Sequence, residues 1–202
     1  SGEMVSTTEV ITQMLRLQQI LSGHMRSDDG DLITFPSPRL DTTMEILAEV
    51  TGKVIIWSRF RYDIESLRDI IAKEYGDDSV AMYYGSTSDD LRADIITRFQ
   101  DPDDPLRYFI GNPSTAGYGI TLTEATTVIY YSNSFNLEHR IQSEDRPHRI
   151  GQMNPVLYID LIASNTIDEK IVEALRKKID LSAVTLGEEA RQWLTLTPKK
   201  GG

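Results

Sequence analysis

Two arginines and a glutamine stand at a telling spacing in Gln142-Ser-Glu-Asp145-Arg146-Pro-His-Arg149-Ile-Gly-Gln152. Gln142, Arg146 and Arg149 fall at i, i+4 and i+7, so a helix running on from Asn136, as the Leu137/Ile141 spacing allows, would point all three to one side. A guanidinium is a planar, permanently charged fork that donates two parallel hydrogen bonds, which suits phosphate oxygens better than an ammonium does. The arrangement reads as a phosphate-directed pair of arginines with an amide beside them. The plain alternative is a solvated helix end whose arginines pair with Glu138, Glu144 and Asp145, and charge pattern by itself favours it. Pro147 would end the helix and turn Arg149 off the shared face.

Upstream, Gly111-Asn-Pro-Ser-Thr-Ala-Gly117-Tyr-Gly119 could bring backbone N–H groups close to an anion, although taken alone it is an ordinary strand-to-helix turn. It lacks the Gly-Lys-[Ser/Thr] ending of a phosphate-cradling loop, and with it the lysine for the terminal phosphates and the hydroxyl for Mg²⁺. The rest of the chain does not complete a hydrolase. There is no Asp-Glu-x-His strand end, no metal-ligand spacing among His24, His139 and His148, and no Gly-x-Ser-x-Gly. Cations for a transition state without a nucleotide cradle are what one half of a two-lobed phosphoryl-transfer machine would carry.

The elements that must position these residues follow from the apolar rhythm. Ser6 to Leu21 and Leu40 to Val50 have helical spacing, with the second helix ending near Gly52. Gly23 and the polar run Ser27 to Asp31 stop the first helix, and Pro36 and Pro38 keep the following segment extended or looped. Lys53 to Ser58 is a short, nearly unbroken run of β-formers, as in a strand buried on both faces. Further strands are expected at Val80–Tyr84, Leu106–Ile110, Thr127–Tyr131 and Val156–Ala163. Between them lie a helix from Tyr62 to Glu74, one capped by Ser88 and running to Phe99, and the arginine-bearing helix. Thr166-Ile-Asp-Glu169 fits a capping box that opens a last helix near Ile167, and Leu181 to Thr197 has mixed signals.

Strands alternating with helices predict a doubly wound α/β sheet, mainly parallel, with helical appendages at both ends. Ligands gather where strands of such sheets end. Ser58-Arg-Phe, Gly85-Ser-Thr-Ser, Ser114 to Gly119 and Ser132 to Asn136 all fall at such ends. The expected division is a helical lead-in over 1–52, an α/β lobe over 53–165 and a helical extension over 166–202.

With 31 acidic against 21 basic side chains and a net charge of −10, no broad basic surface is available, so any contact with nucleic acid must be local. The absence of cysteine excludes disulfide and zinc-thiolate chemistry, and no apolar run approaches a membrane span or a secretory core. Ser1-Gly2 before Met4 reads as a tag remnant, and the chain as a piece of something longer.

Taken together, Gln-x-x-Asp-Arg-x-His-Arg-x-Gly-Gln and the preceding Ser114-Thr-Ala-Gly117-Tyr-Gly119-Ile-Thr-Leu122 resemble the last two signature motifs of the Swi/Snf-type ATPases of helicase superfamily two. Lys53-Val-Ile-Ile-Trp-Ser58, Tyr84-Gly-Ser-Thr-Ser88 and the helix around Met14-Leu-Arg-Leu-Gln-Gln-Ile20 are similar to earlier stretches of the same family, in the same order. The resemblance implies a second RecA-like lobe of a DNA-dependent ATPase. Arg146 and Arg149 would be arginine fingers and Gln142 a partner on the γ-phosphate side, with Gly117, Gly119 and Asp145 facing the nucleotide. Ser58, Arg59, Gly85, Ser86, Thr87, Ser114 and Thr115 would touch the DNA backbone.

ATP and Mg²⁺ would sit between this lobe and an N-terminal RecA-like lobe, on the same chain or a partner, and double-stranded DNA would be the other partner. Alone, the chain is expected neither to hold ATP tightly nor to hydrolyse it, and no metal site is expected in it. The location implied is the cytoplasm of a bacterium or phage-infected cell, or a nucleus, not the secreted space.

The family usually carries an acidic run and a tryptophan after the fourth strand of this lobe, where this chain reads Ser132-Asn-Ser-Phe135-Asn136, with Phe135 as the packing aromatic. That loss supports a second reading, a degenerate lobe that docks DNA or protein without ATPase activity. A Rossmann-like sugar-nucleotide enzyme is a third, but no Gly-x-Gly-x-x-Gly follows a first strand.

Overall fold

A computed structural model of the chain describes residues 7–115, 120–147 and 155–176. In chain order the elements are α1 (Thr7–Leu21), β1 (His24–Arg26), β2 (Leu32–Thr34), α2 (Pro38–Glu49), β3 (Lys53–Trp57), α3 (Arg61–Tyr75), β4 (Val80–Tyr83), α4 (Asp89–Gln100), β5 (Tyr108–Gly111), β6 (Ala125–Tyr130), α5 (Leu137–Glu144), β7 (Leu157–Asp160) and α6 (Ile167–Arg176). They form two compact units. One comprises Pro38–Ser134 with Glu138–Leu161, and the other the described parts of Ser1–Ser37 and Ile162–Gly202 with Phe135–Leu137.

The larger unit is built on a five-stranded sheet in the order β4-β5-β3-β6-β7. Every pairing is parallel. The central strand β3 is buried at all positions, as its unbroken apolar run requires. Alternation along it feeds two cores. Val54 and Ile56 pack with Leu47 of α2 and Ile64, Leu67 and Ile71 of α3. Ile55 and Trp57 pack with Ile95 and Phe99 of α4, together with Phe109, Val128 and Tyr130. Helices on both faces of a parallel sheet make this a doubly wound, RecA-like fold.

Register then decides where the site can be. Tyr83 pairs with Gly111, Gly111 with Trp57, Trp57 with Tyr130, and Tyr130 with Asp160, so all five strands end in one row. The loops that follow leave from a common edge. Gly52, at φ +77°, makes the tight turn from α2 into β3, and a side chain there would strike the Thr126 hydroxyl at 2.6 Å.

In the smaller unit Val10 and Met14 of α1 pack on Ile167, Ile171 and Leu175 of α6, with Phe135 and Leu137 against them. Phe135 is thus a packing aromatic. The Thr166 hydroxyl accepts the Asp168 N–H at 3.2 Å, as a capping residue should, but the reaching carboxylate is that of Asp168, which accepts the Ala163 N–H at 3.2 Å. Glu169, expected in that role, is exposed.

The structure departs from expectation in four further places. β1 and β2 form an antiparallel pair where only a helix stop and an extended run were expected, because strands of three residues are too short to show a period. β7 is confined to Leu157–Asp160 instead of running from Val156 to Ala163. Ser88 stands at the N-cap of α4 without a side-chain cap hydrogen bond. Finally, α5 ends at Glu144, so Arg146 lies in the turn beyond the helix and shares no helical face with Gln142. A proline disfavours helical backbone in the residue before it, which removes Arg146 as well as Pro147 from the helix. Leu181 to Thr197 lies outside the described residues.

Candidate functional site

The sheet edge is stitched from β3 outward. The Ser58 N–H continues the ladder to the Gly111 carbonyl at 2.9 Å, and the Tyr131 N–H to that of Trp57 at 2.9 Å. The Ser58 side chain turns inward: its hydroxyl donates to Asp63 at 2.8 Å and lies 3.0 Å from the Ser132 hydroxyl. Ser58 is 0% exposed, so at this position the side chain holds the first turn of α3 and the end of β6 together; it is not offered to a phosphate. The Ser132 hydroxyl also accepts the Arg59 N–H at 2.9 Å.

Arg59 is partly buried, with its guanidinium 6.0 Å from the centre of the Phe60 ring. Desolvation by burial lowers its pKa to about 10, which leaves it charged at neutral pH.

The turn after β4 is closed by the Thr87 N–H on the Tyr84 carbonyl at 3.0 Å, with the Thr87 hydroxyl accepting the Tyr84 N–H at 3.1 Å. Gly85 and Ser86 are exposed at its tip, and Arg92 donates to the Tyr84 carbonyl from α4 at 3.3 Å. Ser114 is exposed and Thr115 partly so in the loop after β5. A Cβ at Gly85 would sit 3.8 Å from the Thr115 methyl, so these two loops are neighbours.

The second of them opens on Asn112. Its amide donates to the Arg59 carbonyl at 2.8 Å, and its side-chain oxygen accepts the Ser114 N–H at 2.9 Å and hydroxyl at 2.7 Å. Its own N–H reaches the Tyr83 carbonyl at 3.3 Å, and its carbonyl accepts the Thr115 N–H at 3.0 Å. Sequence reasoning quoted Asn112 but gave it no role. Its signal was an amide residue just after a buried strand and two residues before a hydroxyl, the pattern of an Asx turn.

On the other side of β3 the cations are differently disposed. Arg140 of α5, not expected to matter, pairs with Glu144 at 2.6 Å and with Asp160 at the end of β7, and donates to the Asn133 side chain at 2.8 Å. Burial is the largest single influence and opposes its charge, but the hydrogen bonds to Asp160 and Glu144 and the attraction of Tyr130 and Asp160 together outweigh it and hold its pKa above the ordinary arginine value. Gln142 donates to Glu138 at 2.9 Å, one turn back on the same helix.

Arg146 is 4% exposed, and its carbonyl accepts the Leu122 N–H at 3.1 Å, which joins the arginine motif to the end of the glycine-rich one. Asp145 is exposed, its N–H bonded to the Ile141 carbonyl at 3.0 Å. Gly117, Gly119 and Arg149 lie outside the described residues. Among the described residues no group of His, Asp and Glu could hold a metal ion, and no helix is long and apolar enough to cross a membrane.

Comparison with known proteins fits this architecture. The family model for the helicase conserved C-terminal domain matches residues 38–151. The transcription regulatory protein SNF2 of Saccharomyces cerevisiae is 30% identical over 70% of this chain. The human SWI/SNF-related matrix-associated actin-dependent regulator of chromatin subfamily A member 1 is 30% identical over 81% of it. These matches span only 8% and 15% of the two relatives. The solved SWI2/SNF2 ATPase core of Sulfolobus solfataricus in complex with dsDNA superposes with a TM-score of 0.72 at 28% identity, over 96% of this chain and 44% of that one. The chain belongs to the helicase conserved C-terminal domain family, as the C-terminal lobe of a superfamily-two ATPase of the Snf2 type.

Proposed function

We propose that this chain is the second motor lobe of an ATP-dependent translocase on double-stranded DNA. The observation that carries the reading is the single row of strand ends, which places the loops bearing Arg59, Gly85 to Thr87 and Ser114 to Thr115 at one edge. These loops follow the phosphate backbone of one strand, which gives register without sequence readout. Ser58 contributes by positioning, since its hydroxyl is engaged with Asp63.

Arg146 and Arg149 supply positive charge to the transferring phosphoryl group, with Gln142 beside it and Gly117, Gly119 and Asp145 facing the nucleotide. The chain has no phosphate-cradling lysine loop, so ATP and its Mg²⁺ are held chiefly by an N-terminal RecA-like lobe. Both arginines fit the role chemically as permanent bidentate donors, and the Arg146 carbonyl is bonded to Leu122 at the end of the glycine-rich motif. Because Arg146 is buried, acting as a finger requires its side chain to leave that position when the lobes close.

The test joins the chain to its N-terminal lobe and measures ATP turnover with and without duplex DNA. The expected result is DNA-stimulated turnover that Arg146→Ala reduces about a thousandfold or more. Turnover that survived Arg146→Ala would remove the finger assignment. A second reading, a lobe that docks DNA or protein without supporting ATPase activity, is favoured by Ser132-Asn-Ser standing where the family is acidic. It predicts no gain in turnover over the N-terminal lobe alone.

A further inference from the structure

We propose that Asn112 is a positioning residue that sets the spacing between the phosphate-contacting groups of two loops, and through that spacing the affinity of the motor for duplex DNA. The inference rests on the reading above, that these loops face the DNA backbone.

A backbone-tracking protein must match a fixed repeat of phosphates, so its contacts have to be held at fixed separations. Arg59 and Ser114 lie on different loops, and the Asn112 side chain spans between them. Its amide fixes the carbonyl of Arg59, and its oxygen takes both the N–H and the hydroxyl of Ser114. Its backbone carries the same linkage outward, to Tyr83 before the Gly85 turn and to Thr115, which adjoins Gly85. One residue therefore ties the loops after β3 and β5 to each other and to the end of β4. Asparagine suits the task because one planar group presents a donor in one direction and an acceptor in the other. An aspartate in its place would keep the acceptor for Ser114 but set a second acceptor against the Arg59 carbonyl. Alanine would release both loops.

The test uses the two-lobed protein and a fluorescent duplex, with Asn112→Asp and Asn112→Ala compared against Arg59→Ala and Ser114→Ala. Duplex affinity is measured across a series of salt concentrations, ATPase rate across a series of duplex concentrations, and thermal unfolding for each variant. Both Asn112 variants are expected to weaken duplex binding by about tenfold and to make its salt dependence shallower by about one unit of slope. The duplex concentration for half-maximal ATPase should rise by a similar factor, while the rate at saturating duplex falls less than about threefold.

If Arg59→Ala weakens binding and Asn112→Asp leaves affinity and salt slope unchanged, the positioning role is overturned and the DNA-facing reading stands. If Arg59→Ala and Ser114→Ala also leave both unchanged, the DNA-facing reading itself fails. A loss in Asn112→Asp of affinity, saturated rate and melting temperature together, with the salt slope kept, would mark a purely structural role and overturn the inference.

Discussion

The Arg140 guanidinium carbon lies 3.5 Å from the centre of the Tyr130 ring, so the charge rests on an aromatic face while Asp160 and Glu144 hold its nitrogens. This pins α5, and with it the start of the arginine motif, to the ends of β6 and β7. The Tyr130 hydroxyl, 2.8 Å from that of Ser143, adds a second tie, and burial raises its pKa.

Removing Arg140 takes the cation away from Asp160, whose side chain is only 14% exposed. Arg140→Met keeps much of the volume and is expected to cost about 3 kcal/mol in urea unfolding. Adding Asp160→Asn should recover part of that loss, because the orphaned charge is then gone; additive losses would show that the two groups do not interact.

Gly111 pairs with both Trp57 and Tyr83, and it has no room for a side chain. A Cβ there would lie 2.9 Å from the Trp57 ring, 3.0 Å from that of Phe109 and 3.0 Å from the Tyr83 carbonyl. Two of these are core rings and one is backbone, so none can swing aside. Gly111→Ala should destabilise the chain by about 1–3 kcal/mol, read as a lower melting temperature.

Asp104 gives a pH signature. The hydrogen bond from Arg98, and after it that from the Leu106 N–H, hold the Asp104 carboxyl below its ordinary value of 3.8. A carboxyl whose folded pKa is depressed stabilises the fold above its unfolded pKa, and the contribution is lost as pH falls through the folded value. The stability difference between the chain and Asp104→Asn should therefore stay constant from neutral pH to about pH 4 and shrink below it. A difference that grew in acid would contradict the assignment.

Thr166 caps α6 through its hydroxyl. Thr166→Ala should cost about 1 kcal/mol and speed hydrogen exchange of the amides in the first turn of α6, while Thr166→Ser should retain most of the cap.

How far the site could be read from sequence differs from loop to loop. The positions of Gly85 to Thr87 and of Ser114 to Thr115 at strand ends were legible, because a strand buried on both faces is a short apolar run that stops where polar residues begin. The direction of a side chain at such an end was not. Ser58 reads as an exposed hydroxyl by its neighbours, yet Ser132, 74 residues away, and Asp63 enclose it. The shared face of Gln142 and Arg146 failed for a local reason, the proline at 147 acting on the residue before it.

By itself, the sequence determined the order and type of the main elements, since the period of apolar residues is set by the geometry of helix and strand and needs no partner to be visible. It also carried the motifs that mark the family. Tertiary structure alone decided the strand order, and so which loops meet: Asn112 with Arg59, 53 residues apart, and Arg140 with Asp160, 20 apart. A hydrogen bond of this kind depends on register between strands distant in the chain. Nothing in the local pattern around either partner encodes that register.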